Sequence, residues 1–411
     1  MIINKYKNLY LTISHNFICL LFSLNIFFWG ITIFLVQLRF LIVLLIFSIF
    51  INFKKIIIFK ILMPFFVAII LFLHLFFQTE KVSFNQLFAI FTLFLIFIIL
   101  DFYKKFFFNN LNKIIYIFLI IFYFFIIYQY FSINDYSKSV GNHCIGCFSI
   151  LGVFFKENSH LAFVAPSVVF YLLFISSFNK FINISATILF LFICFLNPSL
   201  TLYIGLLLLL SILLFTNIKL IKTQKFFLIL IFFFLLFKLF TDSSAKTKVT
   251  DFFNENNKIN LSTEVYKTSY LIAKNALFHK PLGYGFNNYV EAFNQFSRDL
   301  NIHNKEVLQL NKFDASNNLS KIITEFGIFS LFFLYFLISF LLNNKIDNRI
   351  KIFLILPIII QTFVRGAGYF NGGFLLFVFY TFIFECIWTS WKHISMDVND
   401  LYGILYWQKI Q

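Results

Sequence analysis

Apolar runs, many close to the length of a membrane crossing and separated by short polar breaks, fill most of this chain. No single soluble core accommodates so many of them, and they are continuous where the strands of a membrane barrel would alternate. Of the 411 residues 61% are hydrophobic and 12% charged, against roughly 45–50% and 25% in a soluble domain. A soluble enzyme, a disordered chain and a secreted disulfide scaffold are excluded. The fold class expected is an all-α polytopic membrane protein of about twelve transmembrane helices. Their expected positions are near 13–36, 38–53, 56–77, 85–102, 113–131, 160–177, 183–197, 199–217, 226–240, 319–342, 352–364 and 374–391.

The formal charge of +16 would suggest nucleic acid in a soluble protein, but here the positive-inside rule accounts for most of it, and no nucleic-acid partner is expected. With the N-terminus inside, the inner connections carry Lys5 and Lys7, Lys54 and Lys55, Lys104, Lys105 and Lys113, then Lys180. They continue with Lys219, Lys222 and Lys225, then Lys345, Arg349 and Lys351, and end with Lys392. Every second connection is rich in Lys, which predicts an N-in/C-in topology. The first apolar run lacks a small-residue cleavage site and reads as a retained span.

Two outer connections are long, about 132–159 and 241–318. The second holds nine Lys or Arg against eight Asp or Glu, the mixture of a small folded unit and not of a polybasic tail. The chain therefore divides into spans one to nine over 1–240, an outer loop domain over 241–318, and spans ten to twelve with a tail over 319–411. Within the loop, Ser262 is placed to cap a helix that Pro281 ends, with Val265, Ile272, Ala273, Ala276 and Leu277 on one stripe and Lys267 and Lys274 on another.

Arg365, in Val364-Arg365-Gly366-Ala367-Gly368-Tyr369-Phe370, falls at the outer end of the eleventh span. Only 4 of the 33 basic residues are Arg, and three of them (Arg39, Arg298 and Arg365) fall on the predicted outer side. A guanidinium offers a planar fork of donors that matches phosphate oxygens, whereas an arginine at a membrane edge also snorkels to headgroups. Lys156-Glu157-Asn158-Ser159-His160 precedes the sixth span: Asn158 or Ser159 caps the helix with Glu157 favouring its N-terminus, or Glu157 is a base with His160 titratable beside it. Asp314-Ala315-Ser316-Asn317-Asn318 opens the tenth span, where Asp314 or Ser316 is a cap candidate, and Glu325 two turns in needs a charged partner or a polar cavity. Pro281-Leu282-Gly283-Tyr284-Gly285 lacks the remainder of a nucleotide loop and reads as a tight turn. Cys144 and Cys147 form a pair on the outer side; His143 and His160 alone would complete a zinc site, and no outer Asp-x-Asp is present to chelate a diphosphate-bound cation, so neither metal nor cofactor is expected.

Four patches resemble the O-antigen polymerase and O-antigen ligase family of bacterial envelope polysaccharide assembly. They are Glu157-Asn158-Ser159-His160-Leu161-Ala162, Asn197-Pro198-Ser199-Leu200-Thr201, the loop's Pro281–Gly285 running into Ser316-Asn317 and Glu325-x-Gly327, and Arg365-Gly366-x-Gly368-Tyr369. The resemblance implies a GT-C-like transferase of lipid-linked sugars in the bacterial inner membrane. Such an enzyme acts on the outer side on donor and acceptor glycans carried by undecaprenyl diphosphate, with a chain-length regulator as a further partner. Ligases of the family show His-Asn where this chain has Ser316-Asn317, which favours a polymerase. The chemistry implied is glycosyl transfer with a diphosphate leaving group: Arg365 takes the diphosphate, helped by Arg298 or Lys274, and a carboxylate, Glu157 first and Glu264 second, handles the acceptor hydroxyl. His160, Lys267, Ser316, Asn317 and Tyr369 complete the expected substrate contacts. The rival readings are a ligase that moves finished glycan onto lipid A core or protein, and a lipid-linked oligosaccharide transporter or flippase.

Overall fold

The computed structural model describes residues 15–24, 58–79, 82–132, 158–196, 199–215, 261–298, 300, 305–308, 310, 312–342, 348–366, 368 and 369, with scattered helical positions between 226 and 241. Among the described residues there is no strand. The helices are α1 (His15–Leu24), α2 (Ile58–Gln78), α3 (Phe84–Asn109), α4 (Leu111–Ser132), α5 (Asn158–Phe174), α6 (Lys180–Leu196) and α7 (Leu200–Phe215). They continue with α8 (Leu261–His279), α9 (Tyr289–Phe296), α10 (Asn318–Phe326), α11 (Ser330–Leu342) and α12 (Asn348–Phe363), with 3-10 turns at Lys305–Leu308 and Gly327–Phe329. Apart from α8 and α9, which lie in the 241–318 loop, these helices overlap apolar runs read from the sequence. The second and twelfth expected spans, the Cys144–Cys147 pair and the first part of the 241–318 loop fall outside the described residues.

Local chemistry explains several boundaries. Ser83 and Gln86 form a reciprocal capping box at the start of α3: the Ser83 N–H donates to Gln86 Oε1 at 2.8 Å, and the Gln86 N–H to Ser83 Oγ at 3.4 Å. Asn110 alone separates α3 from α4, its side-chain amide donating to the Phe106 carbonyl at 2.8 Å. Asn179 accepts from the Phe181 N–H (2.9 Å) before α6, and Ser199 accepts from the Leu202 N–H (3.2 Å) before α7.

The chain divides into two compact units: residues 1–60, 96–198 and 371–411, and residues 61–95 and 199–370. In the first, Phe118, Phe122 and Phe190 pack with ring centroids 5.2–6.0 Å apart. A polar seam joins its helices: the Tyr171 hydroxyl donates to Asn112, Asn112 to Ser177 (2.7 Å), the Tyr116 hydroxyl to Asn183, and the Tyr123 hydroxyl to the Ala186 carbonyl (3.0 Å). Hydroxyls in apolar helices need such partners, because an unmatched buried polar group costs about 1–3 kcal/mol.

In the second unit, α8 packs on α10 and α9, and α12 packs on α10 and α7. Ile272, Ala276, Tyr284, Tyr289, Ala292, Phe293 and Ala315 form a buried cluster between the loop helices. Among the described residues one helical stretch, Asn318–Leu342, is long and apolar enough to cross a membrane, accompanied by seven shorter apolar helices. Phe65, Phe66, Phe76 and Phe77 on α2 and Leu331, Phe332, Tyr335 and Phe336 on α11 are exposed. Apolar faces of that size are compatible with a membrane protein.

Candidate functional site

The site grows from an interruption in the Asn318–Leu342 stretch. Gly327 ends α10 with φ +55°, and its neighbours turn once in 3-10 form before α11 begins. A second segment of backbone occupies that gap. Tyr284 and Gly285 donate their N–H groups to the carbonyls of Thr324 (3.0 Å) and Glu325 (2.9 Å), while Ile328 donates to the Pro281 carbonyl (2.8 Å). Non-helical backbone within an apolar element is tolerated only where other protein groups satisfy it, and here the Pro281–Gly285 turn does so. Glycine is required at both contacts: a Cβ on Gly283 would lie 2.2 Å from the Glu325 carbonyl oxygen, and one on Gly327 1.9 Å from that of Pro281.

Glu325 sits at this junction with no exposure. Its carboxylate accepts from the N–H groups of Asn287 (2.9 Å) and Tyr289 (3.2 Å) and from the Tyr369 hydroxyl (2.7 Å), and Lys321 lies one turn back at 3.9 Å. The Lys321 ammonium is buried too, donating to the Phe313 carbonyl (2.9 Å) and to Asp314 Oδ1 (3.0 Å), and it stands 5.1 Å from the centre of the Tyr369 ring. Asp314 is the exposed end of this series. Burial, reinforced by the Glu325 carboxylate, holds the Tyr369 phenol well above its ordinary value, so at neutral pH it is a hydrogen donor and not a base. Burial likewise pushes the Tyr289 phenol up, and burial with the Glu291 charge pushes Tyr284 up to about 12.

Arg365 leaves the end of α12 beside this cluster. Its N–H bonds back to the Ile360 carbonyl (3.0 Å), and the Gly366 N–H reaches the Ser316 carbonyl at 2.6 Å. A Cβ on Gly366 would strike the Asn317 backbone at 2.7 Å. Asn318 donates its side-chain amide to the Gly368 carbonyl (3.2 Å). From the loop, Ser269 accepts the Ser316 N–H (3.0 Å), and the Tyr266 hydroxyl reaches the Phe363 carbonyl (2.8 Å). Two of the four sequence patches thus meet, the third through both its Pro281–Gly285 turn and its Ser316–Gly327 segment, and the fourth through the Arg365–Tyr369 turn.

Of the residues singled out in the sequence, Ser316, Asn317, Arg365 and Tyr369 belong to this junction. Asn317 is the cap of α10, accepting from the Ser320 N–H at 2.8 Å, in place of the Asp314 or Ser316 expected there. Glu264 is buried in the first turn of α8, Lys267 is half-buried, and Lys274 and Arg298 are exposed. His160 lies in the first turn of α5 with its side chain outside the described residues, and Glu157 lies outside them altogether.

Sequence reasoning passed over Lys321, whose i,i+4 spacing to Glu325 was the available signal. It also passed over His74 on α2, which bonds the Leu282 carbonyl at 2.9 Å and stacks on Phe326 at 5.3 Å; a lone histidine closing an apolar run was the signal. Gln361 and Thr362 on α12 are buried with no hydrogen-bond partner for their side-chain polar atoms among the described residues. Compared with protein-family models, with curated proteins and with solved structures, the chain matches none.

Proposed function

We propose that this protein is a membrane-embedded glycosyltransferase that polymerises oligosaccharide repeat units carried on undecaprenyl diphosphate, on the outer side of the bacterial inner membrane. The observation that carries the reading is the meeting of the Pro281–Gly285, Ser316–Gly327 and Arg365–Tyr369 segments at one junction, with an arginine at its edge in a chain that has only 4 Arg among its 33 basic residues. In the reaction the acceptor hydroxyl oxygen bonds to the anomeric carbon of the donor, the bond from that carbon to the diphosphate breaks, and the hydroxyl proton passes to a carboxylate. Negative charge grows on the leaving diphosphate, so a fixed guanidinium there lowers the barrier. Arg365 has that role, and Glu157 or Glu264 takes the proton. Glu325 is not assigned as the base, because its two oxygens already accept from three donors beside an ammonium. Ser316, where ligases of the resembled family have His, favours polymerisation over ligation.

The test is the envelope glycan profile of cells that lack the protein, with lipid-linked intermediates extracted in parallel. Single repeat units on the acceptor, without a ladder, are expected, and Arg365→Lys should shorten and weaken the ladder without abolishing it, because an ammonium keeps the charge but cannot supply the bidentate fork. Long polymer accumulating on undecaprenyl diphosphate would make the protein a ligase. An unchanged ladder would remove both readings and leave the transporter.

A further inference from the structure

We propose that Tyr369, Glu325 and Lys321 are positioning residues for Arg365, a role that rests on Arg365 meeting the diphosphate. Arg365 stands on a short turn whose two ends are fixed differently. At the near end the N–H groups of Arg365 and Gly366 are tied to the carbonyls of Ile360 and Ser316. At the far end side chains make the ties: the Tyr369 hydroxyl on Glu325 Oε2 at 2.7 Å, beside the Asn318 amide on the Gly368 carbonyl at 3.2 Å. Glu325 does not yield in this contact, since the Asn287 and Tyr289 N–H groups and the Lys321 ammonium hold it from other directions. The Tyr369 ring is also held, stacked on Phe286 with centroids 5.3 Å apart and planes 19° from parallel.

The arrangement suits a group that must be in place before the leaving group departs. Hydrogen bonds to a buried carboxylate are about twice as strong as neutral ones, and a displacement of about 1 Å in a catalytic group costs on the order of a hundredfold in rate. The loop is drawn into the same clamp: Asn287, which supplies one Glu325 donor, has φ +56°, and Ala315, beside Asp314, has φ +58°. Two non-glycine residues in the left-handed region flank the two carboxylates that Lys321 joins, so the loop backbone bends to meet the cluster.

The experiment uses the full-length protein in liposomes, with the host's own undecaprenyl-diphosphate-linked repeat unit as substrate, and reads kcat and KM per folded molecule below the unfolding temperature of every variant. Tyr369→Phe keeps the ring and removes one oxygen. It should lower kcat about tenfold with KM changed less than about twofold, the pattern of an interaction that matters in the transition state. Glu325→Gln, which keeps the shape but replaces one acceptor oxygen by a donating amide and removes the charge, should give the same split and serves if Tyr369→Phe does not fold. Added to Arg365→Lys, Tyr369→Phe should cost nothing further, because the group it positions is already lost. A wild-type kcat in both single variants, with only thermal stability lowered, would overturn the proposal, as would losses that multiply in the double variant. Full activity of Arg365→Lys would instead remove the diphosphate role itself, and the proposal with it.

Discussion

A methyl group on Gly327 would stand 1.9 Å from the Pro281 carbonyl oxygen, and one on Gly283 2.2 Å from that of Glu325, at φ values of +55° and +88°. Both penalties act together: the left-handed conformation costs an alanine about 1–2 kcal/mol, and forcing atoms into a packed contact about 1–3 kcal/mol more. Gly327→Ala and Gly283→Ala should therefore each lose about 2–5 kcal/mol. The measurement is denaturant unfolding of the purified protein. Asn287 provides the control, since its φ is also positive but its contribution to Glu325 comes from the backbone N–H. Asn287→Gly should leave stability nearly unchanged, whereas Asn287→Val, β-branched at that φ, should cost about 1–2 kcal/mol. Equal losses in all four variants would mean that the crowding at the Pro281–Gly285 turn is not what glycine serves.

At the scale of the element, α12 carries an anomaly in an apolar sequence: the Gln361 amide oxygen and nitrogen and the Thr362 hydroxyl are buried without a partner among the described residues. A buried polar group left unmatched costs about 1–3 kcal/mol, so Gln361→Leu should stabilise the fold by about 1 kcal/mol and leave the glycan ladder intact. A shortened or absent ladder in a stabilised variant would assign that amide to substrate. Elements of this kind differ in how far the sequence reveals them. The loop helix was legible because its signals are local: Pro281 follows its end at His279, and Val265, Ile272, Ala273 and Ala276 are buried on the expected stripe. The helix begins at Leu261, however, and so holds Ser262 inside its first turn and not ahead of it as the expected cap. The break at Gly327 was not legible, because Asn318–Leu342 reads as one apolar run and the backbone that fills the gap comes from Pro281–Gly285, some forty residues earlier. Glu325 was visible as a carboxylate in need of a partner. That the partners are Lys321, one turn back, and Tyr369, far along the chain, depends on tertiary contacts that no periodicity encodes.

For the whole molecule, the chemistry proposed above requires that the junction face the side to which lipid-linked glycans are delivered, and charge alone makes that prediction. Each Lys or Arg left on the wrong side must be carried across the membrane, so their alternation between connections sets the orientation more firmly than the number of spans does. On that prediction the loop helices should lie outside, and the turn between α5 and α6, next to Lys180, inside. Both places offer exposed polar positions, Asn294 on α9 and Ser177 after α5. In a background freed of the five native cysteines, Asn294→Cys should react with a membrane-impermeant maleimide in intact spheroplasts, and Ser177→Cys only after the membrane is opened. Reversed labelling would place the Arg365 turn on the cytoplasmic side, where finished polymer does not assemble, and would remove the polymerase whatever the junction's geometry. Labelling of both positions in intact spheroplasts would put an even number of crossings between them, in place of the three expected from the spans at 183–197, 199–217 and 226–240. The Lys-rich connections would then have to be reassigned before any residue on α8 could be placed beside a glycan.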